Sequence, residues 1–289
     1  MIVECVPNFS EGRNVAVVDR IAAAVPAGLL LNRTSDLDHN RSVLTIVGPP
    51  DAVATAAFEA VRIAVECIDL RSHTGVHPRL GVADVVPFVP LSGATMEQCV
   101  GLAHDTGHRI WRELAVPVFF YESAALRSEC ARLENVRRTE LDPDLGTGRH
   151  PTAGACVVGA RKFLIAWNIN LSTRDVGIAR RIAHAIRESS GGLPAVKALG
   201  LNLEEQGLVQ VSMNLVDFER TPMGVVFDMV QSLAHEAGVE IAGTELIGML
   251  PQSALDGCGS RDMKWLNLGS DSVIGTGGIA KHFRANMLS

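Results

Sequence analysis

The sequence predicts an α/β (α+β) protein made of two successive βαββαβ units, and three observations carry that expectation. The chain has 289 residues, longer than the commonest single-domain size. Short apolar runs alternate with stretches whose apolar residues fall at helical spacing. The order of these elements then repeats once along the chain.

The first unit opens with Val3–Asn8, read as a buried strand, after which Phe9-Ser10 precedes a helix carrying Val17, Val18, Ile21, Ala22 and Val25 at helical spacing. The second opens the same way, with a strand over Leu164–Asn170, then Leu171-Ser172, then a helix carrying Ile178, Ile182, Ala183 and Ile186. Both strands end in Asn followed by an apolar residue and Ser. Ser42–Val47 and Leu208–Val216 read as corresponding later strands, each followed by a helix with recognisable start chemistry. Pro50-Asp51 opens one that runs to about Cys67; Thr221-Pro222 sets a capping hydroxyl before a proline at the first helical position, where its missing N–H costs nothing. This order packs helices on one face of a mixed sheet in the ferredoxin-like manner. The first unit adds a helix over Met96–Leu114 and a strand over Val116–Tyr121. Asp142–Gly154 reads as the connection between the units, with turn signals at Asp142-Pro143 and Gly146-Thr147-Gly148. The expected domains are residues 1–163 and 164–289.

Composition narrows the class. With 47% hydrophobic and 20% charged residues the chain can bury a sizeable core, and neither disorder nor a fibre is indicated. The longest uncharged apolar runs, such as Ala22–Leu31, fall short of the roughly 18 residues a spanning helix requires, so no membrane association is expected. The opening Met-Ile-Val-Glu lacks the basic region and cleavage site of a secretory signal, and a cytosolic protein is expected. Cys5, Cys67, Cys99, Cys130, Cys156 and Cys258 contain no CxxC pair and read as reduced, buried small hydrophobes. A formal net charge of −6 argues against a nucleic-acid partner, which requires a basic footprint. An anionic ligand must therefore meet a local positive cluster.

Two segments supply such clusters. Arg71-Ser72-His73-Thr74-Gly75-Val76-His77-Pro78-Arg79 holds two Arg and two His with no acid. His73 and His77 have the i, i+4 spacing of a helical zinc pair, but Gly75 and Pro78 argue against a helix and no third ligand with characteristic spacing follows; no metal is expected, and histidines satisfied within a tight turn are the plain alternative. Gly146-Thr147-Gly148-Arg149-His150-Pro151-Thr152-Ala153-Gly154, followed by Gly159-Ala160-Arg161-Lys162, is also basic and glycine-rich. Its glycines allow close backbone approach to a flat ligand, although an interdomain linker has the same composition, and it matches neither nucleotide-binding fingerprint. Asp36-Leu37-Asp38-His39-Asn40-Arg41 gathers carboxylates, imidazole, amide and guanidinium between two strands; it reads either as a polar hairpin turn or as a group that orients a catalytic imidazole or grips a cationic substrate. Ser189–Pro194 reads as a helix stop and restart.

Taken in order, Glu4–Gly12 (Glu-Cys-Val-Pro-Asn-Phe-Ser-Glu-Gly), Asn40-Arg41, His73–Arg79, Gly159–Ala166, Asn168–Leu171 and Gln210-Val211-Ser212 resemble the glutamate formimidoyltransferase family over nearly the whole chain. The resemblance implies two α/β subdomains with a folate site in the cleft between them, a homodimer, and the stand-alone form without a cyclodeaminase domain. It places the catalytic histidine on His77 and an assisting aspartate on Asp36 or Asp38. Substrate and folate binding are implied for Asn8, Arg41, His73, Gly75 and Arg79, and for the segment Gly146, Thr147, Gly148, Arg149, His150, Pro151, Thr152, Ala153 and Gly154.

The implied reaction moves the formimidoyl group of N-formimidoyl-L-glutamate to N5 of tetrahydrofolate, a step of histidine degradation, with tetrahydrofolate as co-substrate. A histidine suits it because one group must take a proton from N5 and return one to the leaving nitrogen. Alternatives on the same residues are formyl transfer between 5-formyltetrahydrofolate and glutamate, a non-catalytic folate-binding module, and a metal-dependent hydrolase using His73 and His77.

Overall fold

Pro7 has no backbone N–H to give a ladder, and the apolar run that reads as one strand is split there into β1 (Val3–Cys5) and β2 (Asn8–Phe9). The computed structural model describes residues 1–138, 140–258 and 273–274. It divides into two compact units, Met1–Lys162 and Phe163–Ser289.

In the first unit, α1 (Val15–Ala23) follows β2, and its start is set by Asn14, whose side chain accepts the Val17 N–H. The hairpin β3 (Leu30–Asp36) and β4 (Arg41–Gly48) comes next. α2 (Pro50–Cys67) carries proline in its first turn and buries the stripe Val53, Ala56, Ala57, Ala60, Val61 and Ala64. β5 (Ala83–Pro90), α3 (Met96–Leu114), β6 (Val118–Glu122), the short helix α4 (Leu133–Arg138) and β7 (Cys156–Ala160) complete it. β1 and β2 act as one broken strand, pairing antiparallel with both β4 and β5. β7 lies between β5 and β6 and runs parallel to both, so this sheet is mixed. Alternation puts Cys5, Leu44, Ile46, Phe88, Val118, Phe120 and Val158 into one core with α1, α2 and α3 residues. Leu80, Val85, Phe119, Tyr121 and Val157 form a second cluster with Cys130, Val136 and Leu133.

The second unit is β8 (Ile165–Leu171), α5 (Val176–Ile186), β9 (Val196–Leu203), β10 (Leu208–Leu215), α6 (Met223–Glu236) and β11 (Ile241–Ile247). Its sheet order is β11-β8-β10-β9, antiparallel throughout, the strand order of a ferredoxin-like βαββαβ unit. Trp167, fully buried, stacks on Phe227 at 6.2 Å in the core that joins β8 and β10 to α5 and α6.

Two local expectations are corrected. Asp142–Gly154 does not connect the units, because it precedes β7 and pairs inside the first: Val118 N–H bonds Leu145 O, and Ala155 N–H bonds Leu80 O. β7 escapes a sequence reading because Cys156–Ala160 has no polar alternation, as expected of a strand buried on both faces. The Thr221 hydroxyl does not cap α6; it donates to Pro194 O at 2.6 Å, and Pro222 itself occupies the cap position.

Candidate active site

The β3–β4 turn is a buried structure rather than a solvated hairpin tip. Asp38, His39 and Asn40 are only 5%, 6% and 7% exposed. Asp36 accepts from the His39 backbone N–H at 2.6 Å and pairs with His39 Nδ1 at 2.8 Å. Burial alone would raise the Asp36 carboxyl, but these His39 bonds outweigh it and hold the group below the usual range. Asn40 has a φ of 46°, a left-handed conformation Asn tolerates. Its side chain accepts the Gly12 N–H at 2.9 Å and donates to Thr74 O at 2.8 Å, tying three segments together.

The loop 73–79 packs onto this turn through its glycine. A Cβ at Gly75 would lie 2.4 Å from His39 O, so no larger residue fits unless the backbone shifts. Val76 N–H bonds Asp38 O at 3.2 Å. His73 Nε2 bonds Asn40 O at 3.0 Å, which makes Nε2 the donor and leaves Nδ1 to accept from Arg79. Burial and the Arg79 charge lower the His73 pKa. Arg79 also donates to the carbonyls of Gly75 and His77. His73 and Arg79 thus brace the loop from within, and the ring nitrogens of His73 are committed to protein partners. Among the described residues no group of three or more His, Cys, Asp or Glu side chains is arranged to hold a metal.

His77 is held differently. Its Nδ1 lies 2.7 Å from Pro78 O, an acceptor only, so Nδ1 carries the proton and Nε2 presents a lone pair. The ring stands 6.0 Å from that of His39, centroid to centroid. Desolvation and the charges of Arg41 and Arg137 pull its pKa well below the ordinary histidine value, with Asp84 opposing. Part of the residue still meets solvent, but partial access does not cancel two guanidiniums with one carboxylate between them. At neutral pH His77 is an uncharged base. Asp36 does not bond it; Asp36 orients His39 beside it.

The neighbouring charges form a triad. Asp84, fully buried on β5, accepts the Leu80 N–H at 2.7 Å, Arg41 at 2.8 Å and also Arg137. Burial would raise its carboxyl, but the two guanidiniums hold it far below the usual range. Asn8 orients Arg41, accepting its Nε–H at 3.1 Å while donating to Val6 O.

The second basic segment folds alongside the first, although about seventy positions separate them. Leu70 N–H bonds Thr152 O at 2.8 Å and Val82 N–H bonds Ala153 O at 2.9 Å. His150 Nδ1 accepts the Ala153 N–H at 3.0 Å, and the backbones of His150 and Gly154 bond reciprocally, which makes a tight turn. A cavity of about 350 Å³ results, lined by Leu70, Arg71, Arg79, Leu80, Arg149, His150, Pro151 and Gly154. Arg149 also lies over the Phe119 ring at 5.7 Å. Gly146 sits against Trp111, Thr147 and Gly148 are exposed, and none of the three lines the cavity.

Sequence reasoning missed His39, Asp84 and Arg137 as a set with His77. A single Asp inside the apolar run Val82–Val86 was the available signal for Asp84, since an ionised residue in a buried strand demands a charged partner. Arg137 had none, because only the folded chain brings α4 to β5. A larger cavity, about 700 Å³, opens between α6 and β11, but Asp228 and Glu240 line it with His235. Among the described residues it has no cationic cluster, and it is a poor match for a polycarboxylate. The chemistry favours the smaller, basic site.

Comparison with known proteins identifies the family of the chain. Residues 2–161 match the N-terminal subdomain of the formiminotransferase domain, and residues 166–264 match the formiminotransferase domain. The chain is 43% identical over 270 residues to the glutamate formimidoyltransferase of Streptococcus pyogenes serotype M1, covering 88% of this chain and 90% of that one. It is 42% identical over 271 residues to the enzyme of the same name from Thermoplasma acidophilum, with 88% and 89% covered. The formimidoyltransferase-cyclodeaminase of Sus scrofa is 43% identical over 277 residues, and the match spans 51% of its length. With both subdomains matched and stand-alone relatives covered almost end to end, the chain belongs to the formiminotransferase family and is a transferase.

Proposed function

We propose that the protein transfers the formimidoyl group of N-formimidoyl-L-glutamate to N5 of tetrahydrofolate, giving 5-formimidoyltetrahydrofolate and L-glutamate, with His77 as the proton carrier. The observation that supports this most is an uncharged His77 in cationic surroundings, its Nδ1–H spent on Pro78 O. The formamidine of the donor is protonated near neutral pH, so its carbon is electrophilic, and N5 attacks with its lone pair. The addition leaves the proton on a cationic N5, where a neutral imidazole is the fitting acceptor. His77 takes that proton and returns it to the glutamate nitrogen, which departs as an amine when the C–N bond breaks. Proton count and charge balance without any further reagent.

Asp36 and His39 act through position: the carboxylate fixes the His39 ring, which stands against His77. Asp38 contributes its carbonyl to the loop contact. The cavity with Arg71, Arg79, Arg149 and His150 suits the anionic, partly flat folate. The direct test is incubation with formimidoylglutamate and tetrahydrofolate, run beside 5-formyltetrahydrofolate with glutamate. Equal yields of 5-formimidoyltetrahydrofolate and glutamate in the first are expected; turnover only in the second would replace this reading by formyl transfer.

A further inference from the structure

Arg41, Asp84 and Arg137 make an unbalanced group: two guanidiniums share one carboxylate, leaving one positive charge over. Asp84 is fully buried, and the side chains of Arg41 and Arg137 are only 11% and 15% exposed. A net charge in such surroundings is costly unless something anionic completes it. The donors are uneven as well. Arg41 donates Nε–H to Asn8 and Nη1–H to Asp84. Arg137 reaches Asp84 through Nη2, while its Nε is buried without a hydrogen-bond partner. A buried guanidinium N–H left unpaired is expensive, and a carboxylate is the anion with which guanidinium donors pair most strongly. The electrostatic setting agrees, because Arg79 adds a third positive charge to the field at Arg41, and Asp84 is the acid that opposes it. Each arginine side chain keeps a small exposed fraction, so the group is not sealed from solvent.

Resting on the transferase reading above, we propose that Arg137 and Arg41 bind one carboxylate of the glutamate moiety of the donor, so that Asp84 is the scaffold of a substrate site and Arg137 a specificity-determining residue. The acceptor folate is not held here. Binding at this position also adds an anion beside the two arginines whose charge, after burial, lowers the His77 pKa, and so offsets that charge. The donor's arrival therefore raises the basicity of the group that must receive the proton.

The experiment is calorimetric titration of the full chain with L-glutamate, and separately with tetrahydrofolate, for the wild type, Arg137→Lys and Arg137→Met. In either variant Asp84 keeps Arg41 and the Leu80 N–H, so no carboxylate is stranded. Loss of a charge-assisted fork is expected to weaken L-glutamate binding about 10- to 100-fold in Arg137→Met. Arg137→Lys keeps the charge and should lie between, and tetrahydrofolate binding should change less than twofold. L-glutamate affinity that is unchanged in Arg137→Met, equal losses for both ligands, or no L-glutamate binding by the wild type would each overturn the site. The Lys variant decides the matter if the Met variant does not fold. Arg137-dependent glutamate binding by a wild type that performs no transfer would retain the site and remove only the transferase reading.

Discussion

Both units share the βαββαβ order, yet they bury different kinds of polar group. The first buries Glu4, Asp38, His39 and Asp84 at 6% exposure or less; the second, among its described residues, buries Asn168, Gln210, Thr221 and Thr244, none of them ionisable. In the second, Gln210 Nε2 donates to Asn170 and Asn168 Nδ2 to Glu245, amide contacts that link neighbouring strands. The loops diverge in the same sense. The β9–β10 turn at 204–207 is mostly exposed, whereas Asp38, His39 and Asn40 of the equivalent β3–β4 turn are buried. The connection from α6 to β11 occupies 237–240, whereas that from α2 to β5 occupies 68–82 and contains His73, His77 and Arg79. One architecture thus carries buried amides in one copy and a buried ionisable cluster, the candidate site, in the other. What distinguishes them is the long loop folded over a turn, which shields ionisable groups enough to shift them.

The two units should differ most at His77. Replacing it by Ala should lower kcat by about 10² to 10⁴ while the thermal midpoint changes little, measured with both substrates saturating. A His235→Ala variant, in the larger cavity of the second unit, should keep kcat within about twofold. Similar losses in both would abolish the distinction between the units.

A second difference is in stability. Burial pushes the Glu4 carboxyl up to about 7 against an unfolded value of 4.5, with Arg161 partly opposing. Glu4 is neutral in both states at low pH. As pH rises from 4.5 to about 7 the unfolded chain ionises first, so the first unit loses roughly 3 kcal/mol over that window. Chemical denaturation at pH 5 and pH 8 should show the loss, and Glu4→Gln should remove it.

Gly75→Ala should have a smaller effect, because the loop must back away from His39 O to admit a methyl group. A fall in kcat of about ten- to a hundredfold is expected, and a wild-type rate would mean that the loop tolerates displacement. The smallest effect expected is none: chelators should leave the rate unchanged, since transfer as proposed needs only proton movement. Activity lost to a chelator and regained with zinc would contradict it.

The fold was legible to the extent that local chemistry decides it. Helical spacing located α1, α2, α3, α5 and α6, and the repeated Asn-apolar-Ser ends of two strands aligned the units. Pairings decided at long range were not legible. Nothing local shows that Asp142–Gly154 closes against Leu80–Val82, so its glycines looked like linker punctuation. Thr221-Pro222 carried a helix-start signal, yet the hydroxyl found a better acceptor on Pro194. The site divides in the same way. His77 and the turn 36–41 were visible as concentrated polar residues, and the structure brings them into contact. Arg137 and Asp84 are isolated in sequence and acquire meaning only as partners. The lowered pKa of His77 belongs to the same category, since it follows from burial and from the charges of Arg41 and Arg137 rather than from the motif around His77.

Proton transfer by His77 depends most on the charge state of its imidazole. The dependence of kcat/KM on pH reports groups of the free enzyme, so its acid limb, followed with formimidoylglutamate and tetrahydrofolate from pH 4.5 to 8, measures His77 before substrate binds. With burial first, and then the charges of Arg41 and Arg137, holding the ring neutral, the limb should fall clearly below the ordinary histidine value near 6.5 and should vanish in His77→Ala. A limb at or above 6.5, or one that persists unchanged in His77→Ala, would contradict the assignment of His77 as the neutral base of this site.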